Sequence, residues 1–272
     1  METMMRCFRW QSGEATRAPG NQLARARAGG LLALAFLVTA GGAPLGAQSG
    51  GGYLLGRPSG TVTLRGGYSH ASAGSDLFDE VTQNLTLKKS DFSGFSAGVE
   101  MAIATSGNLD LALDVGLMRT NTPSHYRTLV DNNNAEIQQS TQLTRVPLAV
   151  DAKYYLAPRG RSIGSFAWIP SAVTPFVGAG AGMMWYRFRQ SGDFVNYRTN
   201  VIFPDTYSSD GFTPMAQGIV GAEVTLTPRL ALTGDARYLW TKRAALSADF
   251  TGGFQPIDLS GAVVSLGLTV RL

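Results

Sequence analysis

From residue 60 onward, apolar and polar residues alternate with a period of two in eight stretches. That period belongs to a β-strand, whose successive side chains point to opposite faces. The first stretch is residues 60–71, where Val62, Leu64 and Tyr68 oppose Thr61, Thr63, Arg65 and Ser69. The second, 92–105, sets Phe95, Val99, Met101 and Ile103 against Ser96, Gly98 and Glu100. The third, 109–120, sets Leu111, Leu113, Val115 and Leu117 against Asp110, Ala112 and Asp114. In the fourth, 144–156, Leu148, Val150 and Tyr154 oppose Arg145, Asp151 and Lys153. The fifth, 175–189, has no clear parity, because Gly178, Gly180 and Gly182 alternate with alanine and valine. The sixth (215–227), seventh (229–241) and eighth (259–272) resume the pattern, with Gln217 and Glu223, Asp235 and Arg237, and Ser265 and Arg271 on their polar faces.

Eight such segments predict an all-β, antiparallel, up-and-down transmembrane β-barrel of about eight strands over residues 60–272. The connections after the second and sixth segments are tight, at Ser106-Gly107-Asn108 and Thr227-Pro228-Arg229. Those after the first, third, fifth and seventh read as long polar loops, about 17–25 residues each. Short turns on one side and long loops on the other are the outer-membrane arrangement. The 157–174 connection departs from it, being long where a short turn is expected and carrying Trp168 and two prolines. A ten-strand barrel would have to draw on residues 77–89 and 194–207.

Composition separates lipid from water as the outer solvent. Charged residues are only 15% of the chain, against about 25% in soluble domains. A soluble sandwich would carry more lysine and glutamate on its polar faces. Residues 31–40, LLALAFLVTA, follow Arg25 and Arg27 and precede GGAPLGAQ. This is the order of a cleavable export signal, and the stretch is too short for a spanning helix. Residues 1–47 are therefore expected to be removed after Ala47, leaving 48–59 as a short periplasmic segment before the barrel.

Charge then shrinks as a clue. Five of the 23 basic residues and two of the 19 acidic ones precede Gln48, leaving 18 and 17. A nearly neutral mature chain gives no argument for nucleic acid. The one cysteine, Cys7, lies in the segment to be cleaved, so no thiol chemistry is expected. No cofactor and no metal are expected either; His70 and His125 are far apart in the chain.

Parity places eleven charges inside the barrel: Glu100, Asp110, Asp114, Asp151, Glu223 and Asp235 against Arg65, Arg145, Lys153, Arg237 and Arg271. Eight strands leave an interior that side chains can fill, and buried charges must pair. The expectation is a salt-bridged plug; a narrow ion path is the sharper alternative. Tyr68, Trp185, Tyr186, Tyr238 and Trp240 fall towards the long-loop side and Tyr154 and Phe176 towards the short-turn side, the placement of interfacial girdles. The glycines of the fifth segment, Gly178, Gly180 and Gly182, would permit curvature or make room for a large neighbour. His70, in Ser69-His70-Ala71-Ser72, stands where a lipid-A-modifying barrel would keep a base beside a nucleophile, but Ala73 occupies the place of the asparagine that usually follows.

The stretch PFVGAGAGMMWY and the later QGIVGAEVTLTPRLALTGDARYLW resemble the small outer-membrane β-barrel proteins, the OmpA-transmembrane, OmpW and OmpX-like group. The shared pieces are a glycine-rich strand, Val220 to Val224, the Thr227-Pro228 turn and the Arg237-Tyr238 pair. The likeness runs from about residue 53 to the end. It implies outer-membrane location in a Gram-negative-type bacterium, contact with outer-membrane lipid and lipopolysaccharide, and delivery by the barrel-assembly machinery. The last strand has the alternation that machinery reads, though it ends in Leu272 and not an aromatic residue. No appended peptidoglycan-binding domain is expected. The leading function is a structural or surface-interaction barrel without catalysis; the alternatives are a narrow channel for small or apolar solutes and a lipid-A-modifying enzyme.

Overall fold

A computed structural model describes residues 52–272 except 165, 197–198 and 251–253. The export signal and its cleavage point lie outside the described residues. The described residues form eleven strands: β1 (Leu54–Leu55), β2 (Gly60–Ala71), β3 (Gly94–Ala104), β4 (Leu109–Val130), β5 (Glu136–Tyr155), β6 (Gly160–Ile163), β7 (Ala167–Pro170), β8 (Val173–Asn196), β9 (Val201–Thr225), β10 (Leu230–Thr241) and β11 (Gly261–Arg271). Eight close into one antiparallel barrel in the order β10-β11-β2-β3-β4-β5-β8-β9. The first and last barrel strands, β2 and β11, pair along their whole length. Closure leaves the barrel sheet itself no free edge, which lipid demands because it offers backbone groups no hydrogen bonds.

The two faces are inverted relative to a soluble protein. Leu64, Phe95, Ile103, Val150, Val220 and Leu266 point outward and are each more than half exposed. Thr63, Glu100, Asp114, Asp151, Gln217 and Arg237 point inward and are buried. Apolar residues all round the outside would aggregate in water; against lipid tails they cost nothing. On β4 the outward apolar run is Leu109 to Leu117, which at about 3.4 Å per residue and roughly 40° tilt is about 20–25 Å tall. The fold is a membrane-spanning barrel of the outer-membrane type.

Two of the expected long loops are not loops. Strands β4 and β5 continue past the apolar band and meet at residues 131–135. Strands β8 and β9 likewise run on to Asn196 and Val201. Residues 194–207 therefore extend two existing strands and add no hairpin. Residues 77–89 add no strand either: they fall mostly in helix α1 (Asp76–Asn84) and the turn leading to a short 3-10 segment, Lys89–Phe92.

The 157–174 connection also finds its explanation. It folds into the β6–β7 hairpin, and β1 pairs with β7, giving a three-stranded sheet in the order β1-β7-β6 at the short-turn end. Part of the 48–59 segment is thus held in structure, with Leu54 opposite Trp168.

Candidate functional site: the lumen and its two ends

The lumen is filled in layers. At mid-height Arg237, on β10, is the hub. Its Nη2 donates to Glu100 at 2.8 Å, its Nε to Asp235 at 2.5 Å and its Nη1 to Asp114; Asp151 lies 3.6 Å from Nη1. The four carboxylates come from β3, β4, β5 and β10 itself. Strand β4 is diametrically opposite β10 in the barrel order, so the Arg237–Asp114 pair crosses the full lumen.

Neighbours complete the set. Lys153 Nζ donates to Glu100 at 2.7 Å, and Arg65 pairs with Asp114. The Gln217 amide donates to Asp151 at 2.7 Å. Ser265 Oγ donates to Asp235 at 2.6 Å. Space for this comes from the facing glycines of β8: a Cβ on Gly180 would sit 1.8 Å from Asp151 Oδ1. Those glycines point inward and make room for a large neighbour.

Towards the short-turn end the filling turns mixed. Tyr155 Oη donates to Glu223 at 2.7 Å, and Arg271 lies 3.6 Å from the same carboxylate. Lys153 Nζ sits 4.3 Å from the centre of the Phe176 ring. Arg159, in the β5–β6 connection just before β6, donates to Asp110 at 2.8 Å and stacks 4.3 Å over Tyr155. Trp168 of β7 is buried, with the Arg271 guanidinium 5.9 Å from its ring centre.

Towards the long-loop end the charges stop. Above them lies an apolar core: Leu77, Phe78 and Val81 of α1, Leu85, Leu87 and Phe92 after it, Met184, Tyr186 and Phe188 of β8, and Phe250, Ile257 and Leu259 from the last long connection. Phe78 packs edge-on to Phe92 at 4.7 Å and to Phe188 at 6.2 Å. This cap is built by chain that returns into the barrel mouth.

All eleven charges expected inside by parity are inside. Their pairing differs from expectation at two points. Among the described residues Arg145 forms no close ion pair; it donates to Ser69 Oγ at 2.7 Å and to the Leu259 carbonyl at 3.0 Å, just beneath the cap. Asp110 takes its partner from outside the set, in Arg159. Parity could not find Arg159, because it lies in a connection; with it, six acids face six bases.

The aromatic assignments need correction at two positions. Tyr68, Tyr154, Tyr238 and Trp240 face outward and are exposed. Trp185 also faces outward, beside Arg187. Phe176 and Tyr186 face inward and are fully buried. Trp185 and Tyr186 are adjacent, so a strand cannot present both to lipid. In β8 it is the even residues that face the lumen, which the alternating glycines had left undecided. Tyr186 Oη is used inside, donating to the Ala245 carbonyl at 2.6 Å.

His70 faces outward at the rim, with Nδ1 3.2 Å from Ser93 Oγ. Ser93 Oγ already accepts the Ala71 N–H at 3.1 Å. His125 lies higher, 3.4 Å from Glu136 and well apart from this pair.

No protein-family model matches the chain, and no curated protein matches it either. Solved structures similar to it include the outer membrane protein OprG from Pseudomonas aeruginosa, at 15% identity and TM-score 0.44, covering 80% of this chain and 99% of that one. A major outer membrane protein from Thermus thermophilus is 13% identical at TM-score 0.44, over 79% and 100%. Neisserial surface protein A is 14% identical at TM-score 0.42, over 78% and 97%. Likenesses this distant transfer no activity; the fold stands on the hydrogen-bonded closure itself.

Proposed function

We propose that this is an integral outer-membrane barrel whose lumen is plugged by its own side chains and whose role is structural or exercised at its outer surface. The observation that carries the reading is the Arg237 hub, one guanidinium tied to carboxylates on both sides of the lumen. An eight-strand interior has little room to spare, and separating such pairs leaves charges in a poorly solvated space. The apolar cap above and the Trp168 hairpin below support the same reading. Exchange of small solutes through the lumen would require all three layers to move.

Planar-bilayer recording tests this directly. Purified wild-type barrel is expected to give no large, steady porin-like current. Large ion-selective currents would overturn the plugged reading in favour of a channel.

The enzyme reading has one contact in its favour, His70 to Ser93. A hydrolytic pair also needs a group that orients the histidine, and among the described residues no carboxylate bonds to His70. Ser93→Ala is expected to leave the lipid A of the host cell unchanged by mass spectrometry.

A further inference from the structure

The lumen balances its charges; one patch of the outside wall does not. Strands β4, β5, β8 and β9 present an outward apolar run that ends on one rung of the sheet. The switch is from Leu117 to Arg119, from Val146 to Thr144, from Trp185 to Arg187 and from Phe212 to Asp210. Arg119, Thr144, Arg187 and Asp210 are consecutive register partners. The next rung outward is Asn121, Gln142, Arg189 and Ser208. The edge of the apolar band therefore carries three exposed arginines.

Their spacing is that of a binding site. Arg119 and Arg187 flank β5, so their backbones are two strand spacings, about 10 Å, apart. Arg187 and Arg189 are neighbours on one face of β8, about 7 Å apart. Side chains of that length can converge over Thr144, which stands between them in register. Gln142 holds Arg119: with its amide turned to face the guanidinium, the oxygen lies 2.8 Å from Nε and 2.6 Å from Nη2. Arg187 lies 5.1 Å from the Trp185 ring. None of the three forms an ion pair among the described residues; Asp210, in register with Arg187, does not approach it closely enough. Inside the same wall, Met118, Leu143, Tyr186 and Phe188 are apolar, so the arginines have no counter-charge behind them.

We propose that Arg119, Arg187 and Arg189 form a phosphate-binding site on the lipid-facing wall, occupied by the phosphorylated headgroup of a lipid in the outer leaflet. Arginine's planar fork matches phosphate oxygens two at a time. The site's height selects a lipid: a headgroup phosphate sits where the acyl region ends, and here the apolar band ends at the arginines. The proposal rests on the outer-membrane reading above and names a partner for the outer surface.

Calorimetric titration of the folded barrel in zwitterionic micelles tests it. Bisphosphorylated lipid A, the same lipid with its phosphates removed, and inorganic phosphate are the three probes. The wild type is expected to bind phosphorylated lipid A at least tenfold more tightly than the dephosphorylated form, with inorganic phosphate far weaker than either. R119Q/R187Q/R189Q should lose the preference, while R161Q/R229Q at the opposite end keeps it. Equal affinity for the two lipids in the wild type, or a preference that survives the triple substitution, overturns the site. Inorganic phosphate binding as tightly as the lipid overturns the lipid assignment. Migration before and after boiling is recorded for each variant: a wild type that shows no heat-modifiable folded form would sink the barrel reading itself, a failure distinct from these.

Discussion

In the middle of the lumen, Arg237 and four carboxylates fill the space; towards the long-loop end, leucines and phenylalanines fill it. The two layers obtain their order from different sources. Each member of the ionic layer comes from a barrel strand, and its position follows from parity. About half of the apolar layer comes from connections, α1 and the last long loop, that have no period and are held by packing; the rest comes from the inward faces of the strands. Apolar burial supplies stability at about 25 cal/mol per Å². Burying ion pairs supplies little, because desolvation offsets attraction. What the ionic layer adds is register: a one-residue slip of β10 would turn Asp235 and Arg237 into the lipid.

The largest expected effect therefore comes from the layer that contributes least net stability. Arg237→Ala leaves four carboxylates with only Lys153 and Arg65 as charged partners and should cost about 3–5 kcal/mol. Urea unfolding followed by the heat-modifiable band shift measures it. Bilayer recordings should then show small, noisy currents as water enters. A loss under about 1 kcal/mol would mean that the pairs are already hydrated. In the cap, Phe78→Ala should cost about 3 kcal/mol by opening a cavity between Phe92 and Phe188. Its signature is different: proteolysis within residues 72–93 should quicken while the barrel strands stay protected from hydrogen exchange. Equal loss of protection in the strands would show that cap and barrel unfold as one unit.

Both layers presuppose the parity of the wall, and Leu113→Arg tests that. Leu113 faces outward between the inward Ala112 and Asp114. An arginine there should cost about 2–4 kcal/mol near the bilayer midplane. Asn133→Arg, in the β4–β5 turn, should be close to neutral. Equal tolerance would mean that the two faces are exchanged.

The same parity marks what the sequence could disclose. In seven segments it located both faces, because a transmembrane strand alternates wherever one side meets lipid and the other a polar lumen. In β8 it failed, since glycine has no side chain to declare a face; Phe176 and Tyr186 were misplaced for that reason. The pairing partners were less legible. Glu100 and Arg237 are 137 residues apart, and no local pattern brings them together. Arg159 was invisible because connections carry no parity. The extensions of β4 and β5 were hidden by composition: Asn121, Thr122 and Ser124 read as loop, yet beyond the lipid a strand's outer face meets water and needs no apolar residues. The signal that marked the true turn was present in Asp131 and the three asparagines after it, which is turn chemistry.

That turn gives the smallest and most local test. Asp131 Oδ1 accepts the N–H groups of Asn133 at 2.8 Å and of Ala135 at 2.7 Å, and Asn134 adopts φ +65°. Asparagine tolerates this left-handed conformation; a residue with a Cβ and no local hydrogen bond costs about 1–2 kcal/mol there. Asn134→Ala should lower stability by about 1 kcal/mol, and Asn134→Gly should change it by no more than about 0.5 kcal/mol. Amide exchange near Ile137 and Tyr126 should quicken in the alanine variant and hold in the glycine one. Since Tyr126 and Ile137 belong to the apolar cap, a loosened turn would also loosen the wall against which the cap packs. An alanine variant indistinguishable from wild type would return residues 121–143 to the long polar loop that composition alone suggests, and the cap would then have no rigid wall on that side.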